Sequence, residues 1–139
     1  MRLHTKSDYA CRALESLSLH YPNEQPLRIE EIAEKHAISV NYLAQILLEL
    51  KGKGLIRSQR GKAGGYVLAK PPGKISFGDV IRAIHGDVID LPVLAESQCS
   101  AEIKNAWRRF RSAAEAAADS ITFDQICTEA NGARQIYYI

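Results

Sequence analysis

The stretch IEEIAEKHAISVNYLAQILL, residues 29–48, restricts what this chain can fold into more than any other. Ile29, Ile32 and Ala33 share one face of a short amphipathic helix. Ala37-Ile38 interrupts that pattern, and Ser39 is a good N-cap for a second helix with Leu43, Ile46, Leu47 and Leu50 inward. Two short helices joined by a tight turn describe a helix-turn-helix. A small residue at Ala33 lets the second helix cross closely over the first, and Ala37 suits a turn position often filled by glycine. An ordinary helical hairpin in a core would read the same way, so the flanking segments must decide.

Gly52 and Gly54 end the second helix, and LIRSQ and GYVLAK then flank RGKAG. Leu55 and Ile56 open the first arm while Tyr66 and Leu68 alternate in the second, as in two paired strands. The glycines between supply the positive φ of a hairpin loop, and KPPGK (70–74) stops the second strand. The loop is glycine-rich and basic, but it is not spelled as a nucleotide site. A P-loop needs GxxxxGK[ST] between a strand and a helix, and a dinucleotide site needs GxGxxG in a βαβ unit. Here a strand follows, so no helix N-terminus is available to a phosphate. A hairpin directly after a helix-turn-helix is instead the wing of a winged helix.

Charge supports a large partner. Residues 51–74 carry Lys51, Lys53, Arg57, Arg60, Lys62, Lys70 and Lys74 with no acid, a local +7, while the rest of the chain sums to −5. A solvated lysine-rich surface usually mixes signs, whereas a basic patch on a mildly acidic chain points to a polyanion.

The remaining elements surround this unit. SDYACRALESLSLHY (7–21) places Tyr9, Ala13, Leu14 and Leu17 on one helical face with Ser7 positioned to cap it, and YPNEQP is a loop. SFGDVIRAIHG (76–86) opens on a capping box, Ser76 with Asp79, turns Val80, Ile81 and Ile84 inward, and ends at Gly86. DVIDLPVLAESQC (87–99) reads as an irregular linker. Residues 101–121 form the longest helix, with Ile103, Ala106, Trp107, Phe110, Ala113, Ala114, Ala117, Ala118 and Ile121 at three-four spacing. That stripe needs a partner, and the same helix from a second subunit is the simplest supply, through Ile103, Trp107, Phe110, Ala114 and Ala117. The arginines of RRFR (108–111) fall off the stripe and read as a solvated face. Thr122 and Gln125 form a further capping box before an apolar, aromatic end, ARQIYYI. The expected fold is mainly α with a two-stranded wing: a winged helix-turn-helix over 1–86, a linker over 87–98, and a dimerisation helix with a tail over 99–139.

Several classes of function fall away. No apolar run approaches the ~20 residues that span a bilayer. The start, MRLHTKSDYACRAL, has no long apolar core, so a cytoplasmic protein is expected. Cys11, Cys99 and Cys127 are too few and too scattered for a disulfide framework or a CxxC metal site. His4, His20, His36 and His85 fall in four separate elements, and no nucleophile–base or paired-carboxylate pattern stands out, so an enzyme is the distant alternative.

Taken in order, SDYACRAL, ISVNYLAQILLEL, GLIRSQRGKAGGYVLAK and ISFGDVIRAIHG resemble the Rrf2 family of bacterial transcription regulators along the whole chain. The resemblance implies a homodimer whose winged helices bind successive major grooves of a palindromic operator. It implies that the helix after Ser39 enters the groove, with Ser39, Asn41, Tyr42 and Gln45 on its outward N-terminal turns. Asn41 and Gln45 are the chemically apt readers, since each pairs bidentately with adenine. Ala44 departs from the acidic residue some relatives carry, so their base preference does not transfer. Arg60 suits insertion into a narrow minor groove, and Lys62 with the amides around Gly64 and Gly65 suits the phosphate backbone.

Many members of that family hold an iron–sulfur cluster on three closely spaced cysteines before the long helix. Here that region offers Cys99 alone, so no cofactor is expected, and an iron–sulfur or thiol-based sensor is the alternative. LPVLAE, ADSITFDQI and the YYI end resemble the cluster-free branch that includes repressors of cysteine metabolism in Gram-positive bacteria. That likeness implies cysteine synthase as a protein partner. Its active site accepts an amino-acid carboxylate, which an Ile-carboxylate end such as Ile139 can mimic, with Tyr137 and Tyr138 as flanking contacts. The other reading of the same tail is a hydrophobic segment folded back on the long helix.

Overall fold

The apolar stripes read above, that of the long helix excepted, become walls of a single core in the computed structural model, which describes residues 5–22, 25–61 and 64–137, with side chains as far as 132. The elements are α1 (Thr5–His20), α2 (Ile29–His36), α3 (Val40–Gly52), β1 (Ile56–Gln59), β2 (Gly65–Leu68), α4 (Phe77–His85), α5 (Ala101–Ser120) and α6 (Phe123–Tyr137), with 3₁₀ turns at Pro72–Lys74 and Pro92–Ala95. The fold is mostly helical with one two-stranded antiparallel sheet, as expected. β1 and β2 pair in the register Ile56 with Leu68 and Gln59 with Gly65. No described helix is long and apolar enough to cross a membrane.

The core joins Leu14 and Leu17 of α1, Ile32 and Ala33 of α2, Leu43, Ile46, Leu47 and Leu50 of α3, Ile56 and Leu68 of the hairpin, and Val80 of α4. The four inward residues of α3 are fully buried. Each such side chain contributes roughly 1.5–3 kcal/mol on leaving water. Ile81 and Ile84 of α4 are half-buried.

The helix ends are built by short-range chemistry that the sequence announces. In α3 the Leu55 N–H bonds the Leu50 carbonyl at 3.1 Å and the Gly54 N–H bonds that of Lys51 at 3.0 Å. That is a Schellman turn, with Gly54 at φ +77° and the buried pair Leu50 and Leu55 closing it. The turn between α2 and α3 has the same design. Ile38 N–H bonds Ala33 O and Ala37 N–H bonds Glu34 O, with Ala37 at φ +53°. Both bonds of the Ser76–Asp79 capping box form, at 3.1 and 3.0 Å, and both bonds of Thr122 with Gln125 form as well.

Two expectations need correction. Ser7 does not cap α1: the helix starts at Thr5, and Ser7 lies inside it on the buried face. Nor does everything past residue 99 stand apart from the winged helix. After α5 the chain turns back, Phe77 N–H bonds Ile121 O at 2.8 Å and Phe123 N–H bonds Ile75 O at 3.0 Å. Phe123 then enters the main core at 1% exposure, against Phe77 at 5.8 Å between ring centroids. The opening of α6 is therefore part of the winged unit's own packing.

His36 closes α2, and its Nε2 lies 2.7 Å from the buried Ser16 hydroxyl of α1. Burial, then Lys35, holds its pKa below the ordinary imidazole value. The fold therefore favours the neutral ring, whose contribution is complete above about pH 6.5 and is lost as pH falls through the lowered value. Denaturant unfolding should show stability dropping below about pH 6.5, and His36→Gln should flatten that part of the profile. Separately, Ala37→Gly should raise stability by up to about 1 kcal/mol, because glycine adopts φ +53° without the Cβ clash. A shift of the urea midpoint to higher concentration checks this.

Candidate nucleic-acid interface

With one face of α3 buried to the last atom, its other face has nowhere to go but solvent. Val40, Asn41, Ala44, Gln45, Leu48 and Lys51 form an exposed arc along it. Ser39 begins the helix in extended geometry, φ −64° and ψ 142°, and its Oγ accepts the Tyr42 N–H at 3.2 Å. Ser39 therefore holds the helix N-terminus while remaining on the surface. Asn41 and Gln45 are exposed one turn apart, so both amides can address one edge of a duplex.

Tyr42 is placed differently from the expectation. It is half-buried and stands edge-on to Tyr9 of α1, 5.9 Å between centroids, while the Arg12 guanidinium sits 5.5 Å from the Tyr9 ring. It braces the first turn of α3 against α1 rather than standing free on the outer face.

The wing rises beside this face. Lys51, Lys53, Arg57, Arg60 and Lys74 are exposed, and Arg60 follows β1 directly at the edge of the loop. Lys62 lies outside the described residues. Gly64 corrects the reading that gave it a free amide, and both Gly64 and Gly65 prove to be close-approach positions. The Gly64 N–H is already donated to Gly61 O at 2.9 Å. A Cβ on Gly64 would meet Gln59 O at 2.5 Å, and one on Gly65 would meet Leu27 O at 2.3 Å. Both are glycines because backbone passes backbone there.

The Gly65 approach exposes a link that sequence periodicity did not reveal. Leu27 exchanges two hydrogen bonds with Tyr66, at 3.0 and 2.8 Å, adding a short bridge to the outer side of β2 just before α2. The wing is thus tied to the helix-turn-helix by backbone. A second unanticipated tie is Lys6 Nζ to Glu49 Oε1 at 2.6 Å, joining α1 to α3. Neither residue stood out, because a cross-chain ion pair has no local sequence signature.

The long helix is held to this unit at its C-terminal end. Arg82 of α4 makes a two-bond fork to Asp119 of α5, 2.8 and 2.9 Å. That pairing raises the Arg82 pKa and lowers that of Asp119. Both groups are substantially exposed, so the fork orients α5 more than it stabilises the fold. Gly78 makes room for it, since a Cβ there would fall 2.0 Å from Asp119 Oδ1.

Comparison with known proteins converges on this arrangement. The Rrf2 family, described as iron-dependent transcriptional regulators, matches residues 3–129. The chain belongs to the Rrf2 family. It is 31% identical over 137 residues to the transcriptional regulator CymR of Bacillus subtilis, across 99% of this chain and 97% of that one. The solved structure of CymR, the global cysteine regulator of B. subtilis, superposes with a TM-score of 0.83 at 29% identity over 93% of this chain and 98% of that one. T. potens IscR superposes at 0.80 and 32% identity, covering 96% and 90%. This Rrf2 protein is accordingly a helix-turn-helix transcriptional regulator and not an enzyme.

The family description raises the question of iron. Cys11 is half-buried on α1, and burial together with Asp8 pushes its thiol up to about 12, so it is held protonated. Cys127 is buried on α6 and also raised, first by burial. Cys99 is half-buried just before α5. A cysteine ligates a metal or cluster as the thiolate. Among the described residues no three His, Cys, Asp or Glu side chains gather as a metal site.

Arg60→Ala should weaken operator binding by about 1–3 kcal/mol at matched salt, the usual weight of one base-reading contact. Fluorescence anisotropy on a selected duplex measures it, and unchanged affinity would remove the wing from recognition. DNA affinity should also fall steeply with salt as the basic segment releases counterions. A flat dependence would contradict DNA as the partner of residues 51–74.

Proposed function

We propose that two copies of this Rrf2 regulator pair along α5 and place their winged helices on successive major grooves of a palindromic operator, repressing transcription in the cytoplasm. The observation that carries the pairing is the apolar seam of α5. Ile103, Trp107, Phe110, Ala114, Ala117 and Ile121 recur at alternating four- and three-residue steps, the spacing of a helix–helix seam. Ile103, Trp107 and Phe110 are 52%, 41% and 47% exposed in the single chain, with Trp107 edge-on to Phe110 at 6.0 Å. Such a row left in water favours a self-complementary partner. The alanines at its far end permit close approach of the second helix.

In this reading Asn41 and Gln45 address adenines, Arg60 enters the minor groove, and Lys62 with neighbouring lysines neutralises phosphates. The regulator works without a metal cofactor, a reading supported by the scattering of Cys11, Cys99 and Cys127 and by the raised thiols of Cys11 and Cys127. Its signal is the cysteine pool, conveyed by cysteine synthase. This rests on the likeness to CymR, which is named as a cysteine regulator, and on the tail. Tyr137 is described as backbone at the end of α6, and Tyr138 and Ile139 lie outside the described residues.

Sedimentation velocity should give a dimer for the native chain and a monomer for Trp107→Glu, with operator affinity reduced at least tenfold. A dimeric variant would move the interface elsewhere. Cysteine synthase should bind the native protein and release it on addition of O-acetylserine, and removal of residues 138–139 should abolish the complex. Absence of any complex would leave a DNA-binding regulator responding to another signal, and bound iron after anaerobic purification would identify that signal as a cluster.

A further inference from the structure

The exposed arc of α3 holds an apolar ridge that the amide readers leave unused. Val40, Ala44 and Leu48 stand one turn apart and are all exposed, Val40 at 43% and Leu48 at 69%, the highest exposure of any large apolar side chain among the described residues. At about 100° per residue, Leu48 falls in the middle of the arc, between Ala44 and Asn41. Lys51 lies beside the same ridge, and the arc contains no acid. Glu49, its nearest carboxylate in sequence, is turned toward α1 and paired with Lys6.

An isolated exposed leucine is ordinary. A leucine at the centre of a cationic, amide-bearing surface is not ordinary, because an apolar protein partner would have to desolvate Asn41, Gln45 and Lys51 to reach it. A DNA duplex meets all three chemistries at once. Phosphates suit the lysine and base edges suit the amides. The thymine C5-methyl is the apolar group that the major groove offers. The ridge from Val40 to Leu48 is about 12 Å long at 1.5 Å per residue, close to three to four base-pair steps.

We propose that Leu48, continued by Ala44 and Val40, packs against thymine methyl groups in each half-site and is a specificity-determining residue of this regulator. The proposal rests on α3 reading the major groove. It deepens that reading, because Asn41 and Gln45 favour adenine and the thymine paired to an adenine presents its methyl on the same groove edge. The half-site is then selected for A·T pairs by two chemistries, amide hydrogen bonds and methyl burial.

The test uses the full-length protein and duplexes it selects from a randomised pool. Each thymine of a selected half-site is replaced singly by deoxyuridine, which removes the methyl and preserves base pairing. Affinity is read by fluorescence anisotropy at fixed salt. At one or two positions the replacement should weaken native binding about fourfold, the value of one buried methyl, and about fifteenfold when both half-sites are changed. Leu48→Ala should bind thymine and deoxyuridine duplexes alike at those positions, while Asn41→Ala should keep the difference. Insensitivity of the native protein at every thymine overturns the proposal, as does undiminished sensitivity in Leu48→Ala. Failure to enrich any duplex would overturn the groove-reading role itself and is distinguished by the selection step.

Discussion

Complete burial of one side of α3 is the constraint on which the rest of the molecule depends. Leu43, Ile46, Leu47 and Leu50 are sealed against α1, α2, the hairpin and α4, so rotation of α3 about its axis would drag several leucine-sized groups into water. The opposite arc is thereby fixed in direction without contributing to stability. Residues there are free to be chosen for what they touch. A recognition helix is useful because its inward face leaves no choice about where its outward face points.

The same logic operates at the ends of the helix. The Schellman turns at Ala37 and Gly54 fix the chain's entry to and exit from α3 through backbone bonds, and the Leu27–Tyr66 bridge then ties the wing back to the start of α2. Helix and wing therefore present one surface. The long helix joins that surface through Arg82, Asp119 and Gly78 and through the short backbone pairing of residues 75–77 with 121–123. Its N-terminal half carries Ile103, Trp107 and Phe110 exposed among the described residues.

Legibility from the sequence followed the range of each interaction. The capping boxes at Ser76 and Thr122, the αL residue at Ala37 and the inward leucines of α3 were readable because each depends on residues within one or two turns. Ser7 was misread because a serine near a helix start is an equally good cap or a small interior residue, and only the neighbouring helices decide. Tyr42 was placed outward by the family resemblance, yet Tyr9 from another helix claims its ring. Gly64 and Gly65 were read for the amides around them, whereas Gln59 and Leu27 crowd them as close-approach positions. Leu48 was left off the inward set of α3 and given no role, because a single exposed leucine carries no signal of its own.

The sequence by itself determined the elements, their caps apart from the one assigned to Ser7, and the winged-helix order, since local hydrogen bonds and apolar periodicity are written within a few residues. It also determined the sign of the partner, through seven cations without an acid over residues 51–74. Tertiary structure alone decided which side chains stand free on the reading face, that α6 returns to the core through Phe123, and that Gly78 clears the Arg82–Asp119 fork. Those outcomes depend on contacts between residues tens of positions apart, whose geometry exists only once the leucine face of α3 has found its place.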